Sequence, residues 1–505
     1  MAEWLLENVI PDSLRSIVVG RVSREEMEGE IKANKGGVFW IVDLEGAKDW
    51  VHCGDSPCIF PLDTHPIDAL SEHLQSFLSA DTKRLPHLKV SPSILTHLTD
   101  SYDTALSLLT RITDTTQRIR NAQRLTGDVI AKNLFRNLPL YFSHQLPSTL
   151  EAQEKGWGAV IVGAGPSLDV TLPIIKEWLE KGWRPIIIAT DSSLKALENI
   201  GIDPHFVVEI DPYKTCESCT SSDYARGIGL FSIDCNESWP QRWNQFYILP
   251  KNEIIEQFFQ KNNIQQASLT ASSNAGLTAL AFSVWLGSGY SLLIGMDLST
   301  DSNSNLSRYA KITGRPNVLS NRADLFTIPG NFQPQVLTPF LCDWEATAAF
   351  CQKQGQTHTI INFNDRGAKL PSTNLIPPEK KDDLYAILEN TTAPFDVTTL
   401  TYEPASIPQA IANSLYQKLQ KNCEKIQKAL LPLSKGASSP SSKKEALGKL
   451  VCDDDISLIF SSYVYNIMQD LVETAEVPEP TWNQHINILL DLAEFCIASL
   501  KDRDL

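Results

Sequence analysis

What most limits the fold of this chain is the order of segments between residues 158 and 363, where short, wholly apolar runs alternate with segments of helical period. Residues 158–163 (GAVIVG) are apolar without interruption and end in glycine, as a strand buried on both faces does. Leu168, Leu172, Ile175 and Leu179 then recur at helical spacing, and Pro173 places the start of the regular helix near Thr171, where a missing N–H costs nothing. A second run at 184–189 (RPIIIA) leads through Thr190 and Asp191 into a short helix that stops at Gly201, a residue suited to a left-handed cap. Further apolar runs lie at 205–210, 229–233, 245–249 and 291–295, with an amphipathic helix at about 273–286. A hairpin at 325–330 and 335–338, a helix at 344–354 and a strand at 357–363 close the series. Such alternation predicts an α/β fold, a doubly wound, mostly parallel, Rossmann-like sheet that binds ligands beyond the carboxyl ends of its strands.

The flanks read differently. Residues 1–150 mix strand-like runs at 37–42 and 56–61 with two helical patterns, one through Leu106, Leu109 and Ile112 and one through Val129, Ile130, Leu134 and Leu138. They are expected to form an N-terminal α+β cap beside a nucleotide-binding core at 156–377. A C-terminal region at 400–505 is expected to be helical, with a polar linker at 435–444 (KGASSPSSKK), as a bundle on the core or a surface for homo-oligomer formation. At 505 residues the chain is long enough for two or three cores. No signal peptide or membrane span is expected, and ten dispersed cysteines suit reduced thiols, so the expected location is the cytoplasm. A net charge of −16 argues against nucleic acid as a partner, and the basic pairs Lys83-Arg84, Lys380-Lys381 and Lys443-Lys444 read as solvated charge.

The chemistry is expected at the turn GAGPSLD (163–169), where Gly163, Gly165 and Ser167 would aim backbone N–H groups and a helix N-terminus at a phosphate. A dinucleotide fingerprint wants glycine at its sixth position, which is Leu168 here, and a merely connecting glycine turn is the plainer alternative. Asp191, with Ser192 beside it, stands where an acidic residue receives a ribose hydroxyl, or else caps the helix that follows. Asp191, Asp211 and Asp297 all follow strands, so they suit either a divalent ion beside phosphates or a general base, and Asp297 is taken as that base. Ser272, Ser273 and Asn274 open the long helix as further donors or as ordinary caps. Cys216 and Cys219 form a C-x-x-C with no second half at zinc spacing, and His205 and His358 begin core strands, so all four read as structural.

In order along the chain, GAGPSLD (163–169), ATDSSLKALENIGIDPHFVVEIDP (189–212), SSNAGLTALAFSVWLG (272–287), LLIGMDL (292–298) and INFNDRGAKLPST (361–373) resemble the motility accessory factor family. That family is assigned to the glycosylation of flagellin with nonulosonic acids such as pseudaminic and legionaminic acid. The resemblance implies a fold similar to sialyltransferases that use CMP-activated sugars, and a domain similar to archaeal 6-hydroxymethyldihydropterin diphosphokinases, which use ATP. It carries over Gly163, Gly165 and Ser167 as the phosphate turn, Asp191 and Ser192 as the second strand's edge, Ser272, Ser273 and Asn274 as helix-start donors, and Gly295 with Asp297 as the G-x-D segment. The chain departs from the family at Asp365-Arg366-Gly367, where threonine-glutamate-glycine is usual, and at His205, where an acidic residue is common. The resemblance implies a CMP-sugar donor, a flagellin-like protein acceptor with serine or threonine hydroxyls, and no required cofactor or metal. Under the diphosphokinase alternative Mg2+ would be needed, and a non-catalytic scaffold is the third alternative.

Overall fold

A computed structural model describes residues 15–34, 37–50, 57–65, 69–70, 73–74, 77, 86–153, 156–221, 225–251, 269–301, 325–391, 393–396, 402–436, 438–472 and 477–501. The pair Lys83-Arg84 and the expected strand start at Ser56 lie outside these. The described residues fall into two compact units, one drawn from Met1–Ala131 with Lys418–Ala498, the other from Lys132–Gln417 with Ser499–Leu505. The three-part division expected from composition differs from this: the helical C-terminal region joins the N-terminal sheet in one unit. Helix-period patterns report that a face is buried but not against what.

The first unit holds four parallel strands, β1 (Ser16–Val19), β2 (Val38–Val42), β3 (Cys58–Pro61) and β4 (His87–Val90), in the order β3-β2-β1-β4. The helix Arg24–Ala33 begins in a reciprocal capping box between Ser23 and Glu26. The two helical patterns expected before residue 150 are one helix, Thr99–Ser143, that takes Pro139 into its last turns. The expected linker at 435–444 is largely helix as well. Ser439 caps it, Pro440 occupies its first turn, and the helix runs to Val451. Polar residues with glycine and proline suggest a linker, but serine and proline are also the residues favoured at a helix start.

The second unit is built on β5 (Gly158–Val162), β6 (Ile186–Thr190), β7 (Phe206–Glu209), β8 (Ile228–Ser232), β9 (Phe246–Leu249), β10 (Tyr290–Ile294), the antiparallel hairpin β11 (Phe326–Pro329) and β12 (Gln335–Thr338), β13 (Thr359–Asn362) and β14 (Asn374–Leu375). Outside the hairpin, eight strands form one sheet in the order β14-β13-β10-β5-β6-β7-β8-β9. Every pairing in it is parallel. All five residues of β5, β6, β8 and β10 are buried, which accounts for their unbroken apolar sequence. The core includes Ile161, Ile188, Val208 and Leu293 from the sheet, with Leu280 and Phe282 from the helix Ala275–Trp285.

Two local expectations meet different ends. Gly201 takes φ +74°, the left-handed cap that stops the helix Leu194–Ile200. The helix Leu168–Glu180, however, begins three residues before Thr171, with Pro173 inside it. Its first turn is held by Val170 and Thr171, whose N–H groups both donate to the Ser167 carbonyl. The chain runs outward from β5 through β6 to β9, then returns to place β10 on the other side of β5. The carboxyl ends of β5 and β10 therefore flank the point where the winding reverses, and there a doubly wound sheet opens a crevice. Among the described residues no helix is long and apolar enough to cross a membrane.

Candidate functional site at the sheet reversal

The loops leaving β5 and β10 meet at their glycines. The Gly163 N–H donates to the Ile294 carbonyl at 2.8 Å and the Gly165 N–H to the Gly295 carbonyl at 2.7 Å. A Cβ on Gly163 would lie 2.3 Å from the Gly295 oxygen, and one on Gly295, at φ +64°, would lie 2.5 Å from the Gly163 oxygen, so neither position admits a side chain. Two residues further along each loop, the Asp297 carboxylate fills the space over Gly165, its Oδ2 only 1.9 Å from where a Cβ would stand. Oδ2 accepts the Ser167 N–H at 3.0 Å and lies 2.8 Å from the Ser167 Oγ.

This corrects the expected use of the turn. The N–H groups of Gly163, Gly165, Ser167 and Leu168 are all committed to acceptors within the protein. The acceptor for the Ser167 N–H at the start of the helix Leu168–Glu180 is the carboxyl of the chain's own Asp297. A local sequence pattern carries no information about a partner 130 residues away.

Asp297 and Ser167 are buried, and burial, the largest influence, raises the Asp297 pKa to about 7. The two hydrogen bonds from Ser167 oppose the rise, the nearby Asp365 charge adds to it and Arg366 subtracts from it. Asp297 Oδ1 is buried with no hydrogen-bond partner among the described residues. Behind Ser167 runs a file of asparagines absent from the sequence reading. Ser167 Oγ lies 2.8 Å from Asn364 Oδ1, Asn364 Nδ2 donates to Asn362 Oδ1 at 2.8 Å, and Asn362 Nδ2 donates to Asn331 Oδ1 at 3.2 Å. Asn331, at the tip of the β11–β12 hairpin, donates to the Arg366 carbonyl at 2.9 Å. Arg366 is clamped between Asp365 and Asp301, at 2.6 and 2.8 Å, so the departure Asp365-Arg366-Gly367 forms an ion cluster at the site's edge. The only sequence signal for this file was the density of asparagine in INFND (361–365).

One strand over, the Thr190 hydroxyl donates to the Val162 carbonyl, tying the end of β6 to that of β5. Asp191 does not cap the helix after it. Its carboxylate pairs with Lys214 Nζ, which also donates to the Ser192 Oγ at 3.0 Å. Burial would raise the Asp191 pKa, but Lys214 by charge and hydrogen bond holds it below the usual carboxylate range. Glu209, fully buried at the end of β7, is pushed well above that range by burial and by the Asp191 charge. Lys214 and Glu209 were missed by the sequence reading; Lys214 is solvated charge in any local pattern, and Glu209 sits within an apolar run. Asp211 makes a local turn, accepting the Tyr213 N–H. Thus the three strand-end aspartates have separate partners. Asn133, near the end of the helix Thr99–Ser143, donates to the Pro212 and Asp234 carbonyls and secures these loops.

At the helix Ala275–Trp285, Asn274 is a cap: its Oδ1 accepts the Leu277 N–H at 2.7 Å and its Nδ2 donates to Thr347 at 3.3 Å. Ser272 is half-buried and Ser273 exposed, so their hydroxyls are the accessible groups of that segment. A Cβ on Gly276 would stand 2.4 Å from Met296 Sδ, which puts this helix start against the residue before Asp297. The structure thus gathers Gly163, Gly165, Ser167, Gly295 and Asp297 in one contact set. Asp191 and Ser192 lie on the adjoining strand end, and Asn274 is engaged in capping. Cys216 and Cys219 are buried, and Cys219 Sγ points its weak donor at Asp191.

Residues 132–303 match the model of a family described as 6-hydroxymethylpterin diphosphokinase MptE-like. The matched stretch contains β5 to β10, the Gly163 turn and Asp297. Among solved structures, a Maf glycosyltransferase from Magnetospirillum magneticum AMB-1 is similar with a TM-score of 0.54 and 13% identity, over 98% of this chain and 82% of that one. No curated protein matches the chain significantly. Residues 132–303 are therefore similar to that family and the chain shares the fold of a Maf glycosyltransferase, in line with the resemblance read from its sequence.

Proposed function

We propose that this MptE-like domain, set in the fold of a Maf glycosyltransferase, belongs to a glycosyltransferase that moves a nonulosonic sugar from its CMP-activated form to a serine or threonine hydroxyl of a protein such as flagellin, in the cytoplasm. The observation that carries this reading is Asp297, a buried carboxyl at the sheet reversal with a pKa near 7 and one oxygen without a partner. A group that exchanges protons near neutrality suits a reaction in which a phosphate departs and a hydroxyl must lose its proton. Because the N–H groups of the turn are occupied, the donor phosphate is assigned to the groups around it, the hydroxyls of Ser192, Ser272 and Ser273 and the ammonium of Lys214. Asp191 pairs with Lys214 at the neighbouring strand end. As the C–O bond to phosphate breaks, its electron pair leaves with CMP and positive charge develops on the sugar, and the acceptor oxygen closes the new bond.

The MptE-like match supports a second reading, pyrophosphate transfer from ATP with Mg2+. The two separate in a melting experiment. Under the first, CMP or a CMP-sugar without metal raises the melting temperature by several degrees and ATP with Mg2+ does not; under the second the pattern reverses. If neither ligand shifts the transition, both enzymatic readings fail and a scaffold that retains the fold remains.

A further inference from the structure

The asparagine file decides where a proton sits. Its direction is fixed by groups whose roles cannot change. The Arg366 carbonyl is an acceptor only, so Asn331 presents Nδ2 to it and Oδ1 to Asn362. The Asn364 N–H is a donor only and points at Asn362 Oδ1, at 3.3 Å, so Asn362 presents Nδ2 to Asn331. Two separate backbone groups therefore impose the same orientation. Asn364 must then spend Nδ2 on Asn362 and turn Oδ1 towards Ser167. Ser167 Oγ stands 2.8 Å from that oxygen and 2.8 Å from Asp297 Oδ2, yet a hydroxyl has one hydrogen. With Asp297 ionised, one of these two contacts would set bare oxygens against each other at hydrogen-bonding distance. A second hydrogen satisfies both, and Asp297 is the only titratable group of the three.

We infer that Asp297 rests as a neutral carboxylic acid that donates to Ser167, and that Asn331, Asn362 and Asn364 are positioning residues that keep it so. Its buried, unpartnered Oδ1 agrees, since a neutral carbonyl oxygen tolerates that position far better than half of a carboxylate. The charged groups that face the carboxyl are Asp365, which favours the proton, and Arg366, which opposes it and is itself held by Asp365 and Asp301. Resting on the glycosyl-transfer reading, the consequence is an order of events. Asp297 first gives its proton to the phosphate oxygen as the C–O bond breaks. The carboxylate so formed then takes the proton that the acceptor hydroxyl loses on bonding to the sugar. The net reaction leaves the proton on the departing nucleotide and restores Asp297.

The full-length protein provides the test. Infrared difference spectra between the wild type and Asp297→Asn are expected to show a carboxylic acid carbonyl band at pH 7 that titrates with a midpoint at or above neutrality. Asn364→Leu frees the Ser167 hydroxyl for Asp297, and the midpoint should fall by at least about one pH unit, a tenfold change in acidity. Asn362→Leu leaves Ser167, Asn364 and Asp297 in place but frees Asn364 to turn its Nδ2 towards Ser167, so the midpoint should fall in the same direction, which guards against a folding defect in the first variant. A missing band at pH 7, or midpoints unmoved in both variants when circular dichroism shows them folded, overturns the inference. If the midpoints move but no CMP-sugar is turned over, the protonation stands and the glycosyl-transfer reading fails.

Discussion

At the scale of single residues, Asp297 carries a cost that depends on pH. Its folded-state pKa, near 7, lies above that of an unfolded aspartate, so its contribution to stability is present in acid and is lost as pH rises through 7. Asparagine at this position removes the charge that burial penalises, but its amide cannot both accept the Ser167 N–H and donate to the Ser167 Oγ as a carboxylic acid does. The stability of Asp297→Asn relative to the wild type is therefore expected to rise by about 1–3 kcal/mol between pH 5 and pH 8. Thermal unfolding at the two pH values measures this, and the same variant should lose nearly all transfer activity. A variant destabilised equally at both values would mean that Asp297 acts as an ionised clasp. The glycines of this site were legible because only a close backbone approach demands glycine after a buried strand. Asp297 was legible as a strand-end acid. Ser167 was legible as part of the turn, but not as its partner, and Asn364 and Asn331 were not legible at all: they come from loops far apart in the chain, and no local pattern ranks one asparagine over another.

Secondary-structure elements repeat this division between what is local and what is not. The strands of the main sheet from β5 to β10, with β13, appear in the sequence within two residues of their observed limits, because burial on both faces keeps them mostly apolar, whereas β14, two exposed residues, carries no such signal. The long helix Thr99–Ser143 was read as two because its middle, residues 114–125, is polar and interrupts the apolar stripe without interrupting the backbone. Gly127 lies in this helix for a reason that propensity does not contain. A Cβ there would come 2.1 Å from the carbonyl oxygen of Ser462, at the start of the helix Ser461–Val472 in the same unit. Alanine normally stabilises a helix interior by about 1 kcal/mol over glycine. At this position the clash should reverse the sign, so that Gly127→Ala is destabilising by about 1–3 kcal/mol. Denaturant midpoints compared with Gly29→Ala, where nothing stands within 4 Å, give the contrast, since that variant should gain stability. If both alanines stabilise, the two helices are not packed through Gly127.

On the scale of the whole molecule, buried ionisable groups set opposite limits on stability. His205 immediately precedes β7, with its Nδ1 accepting the Ile187 N–H at 2.9 Å and its ring against the edge of Phe395. Burial lowers its pKa to about 4, so the native protein holds it neutral. The unfolded chain takes up that proton near pH 6.5, so stability is full above this value and falls as pH drops towards 4. Asp297 and Glu209, both raised, act in the other sense and withdraw stability as pH rises. Between pH 4 and 6.5 the histidine therefore opposes the two acids. His205→Gln offers an oxygen for the Ile187 N–H but no titrating group, so relative to the wild type it should gain about 1–3 kcal/mol as pH falls from 6.5 to 4 and show no pH-dependent difference above 7. A stability difference between the two proteins that does not vary with pH over this range would mean that His205 is not held neutral by the fold. A histidine at the mouth of a core strand thus earns its place by its neutral form, which also explains how the chain tolerates it where the resembling family often carries an acid.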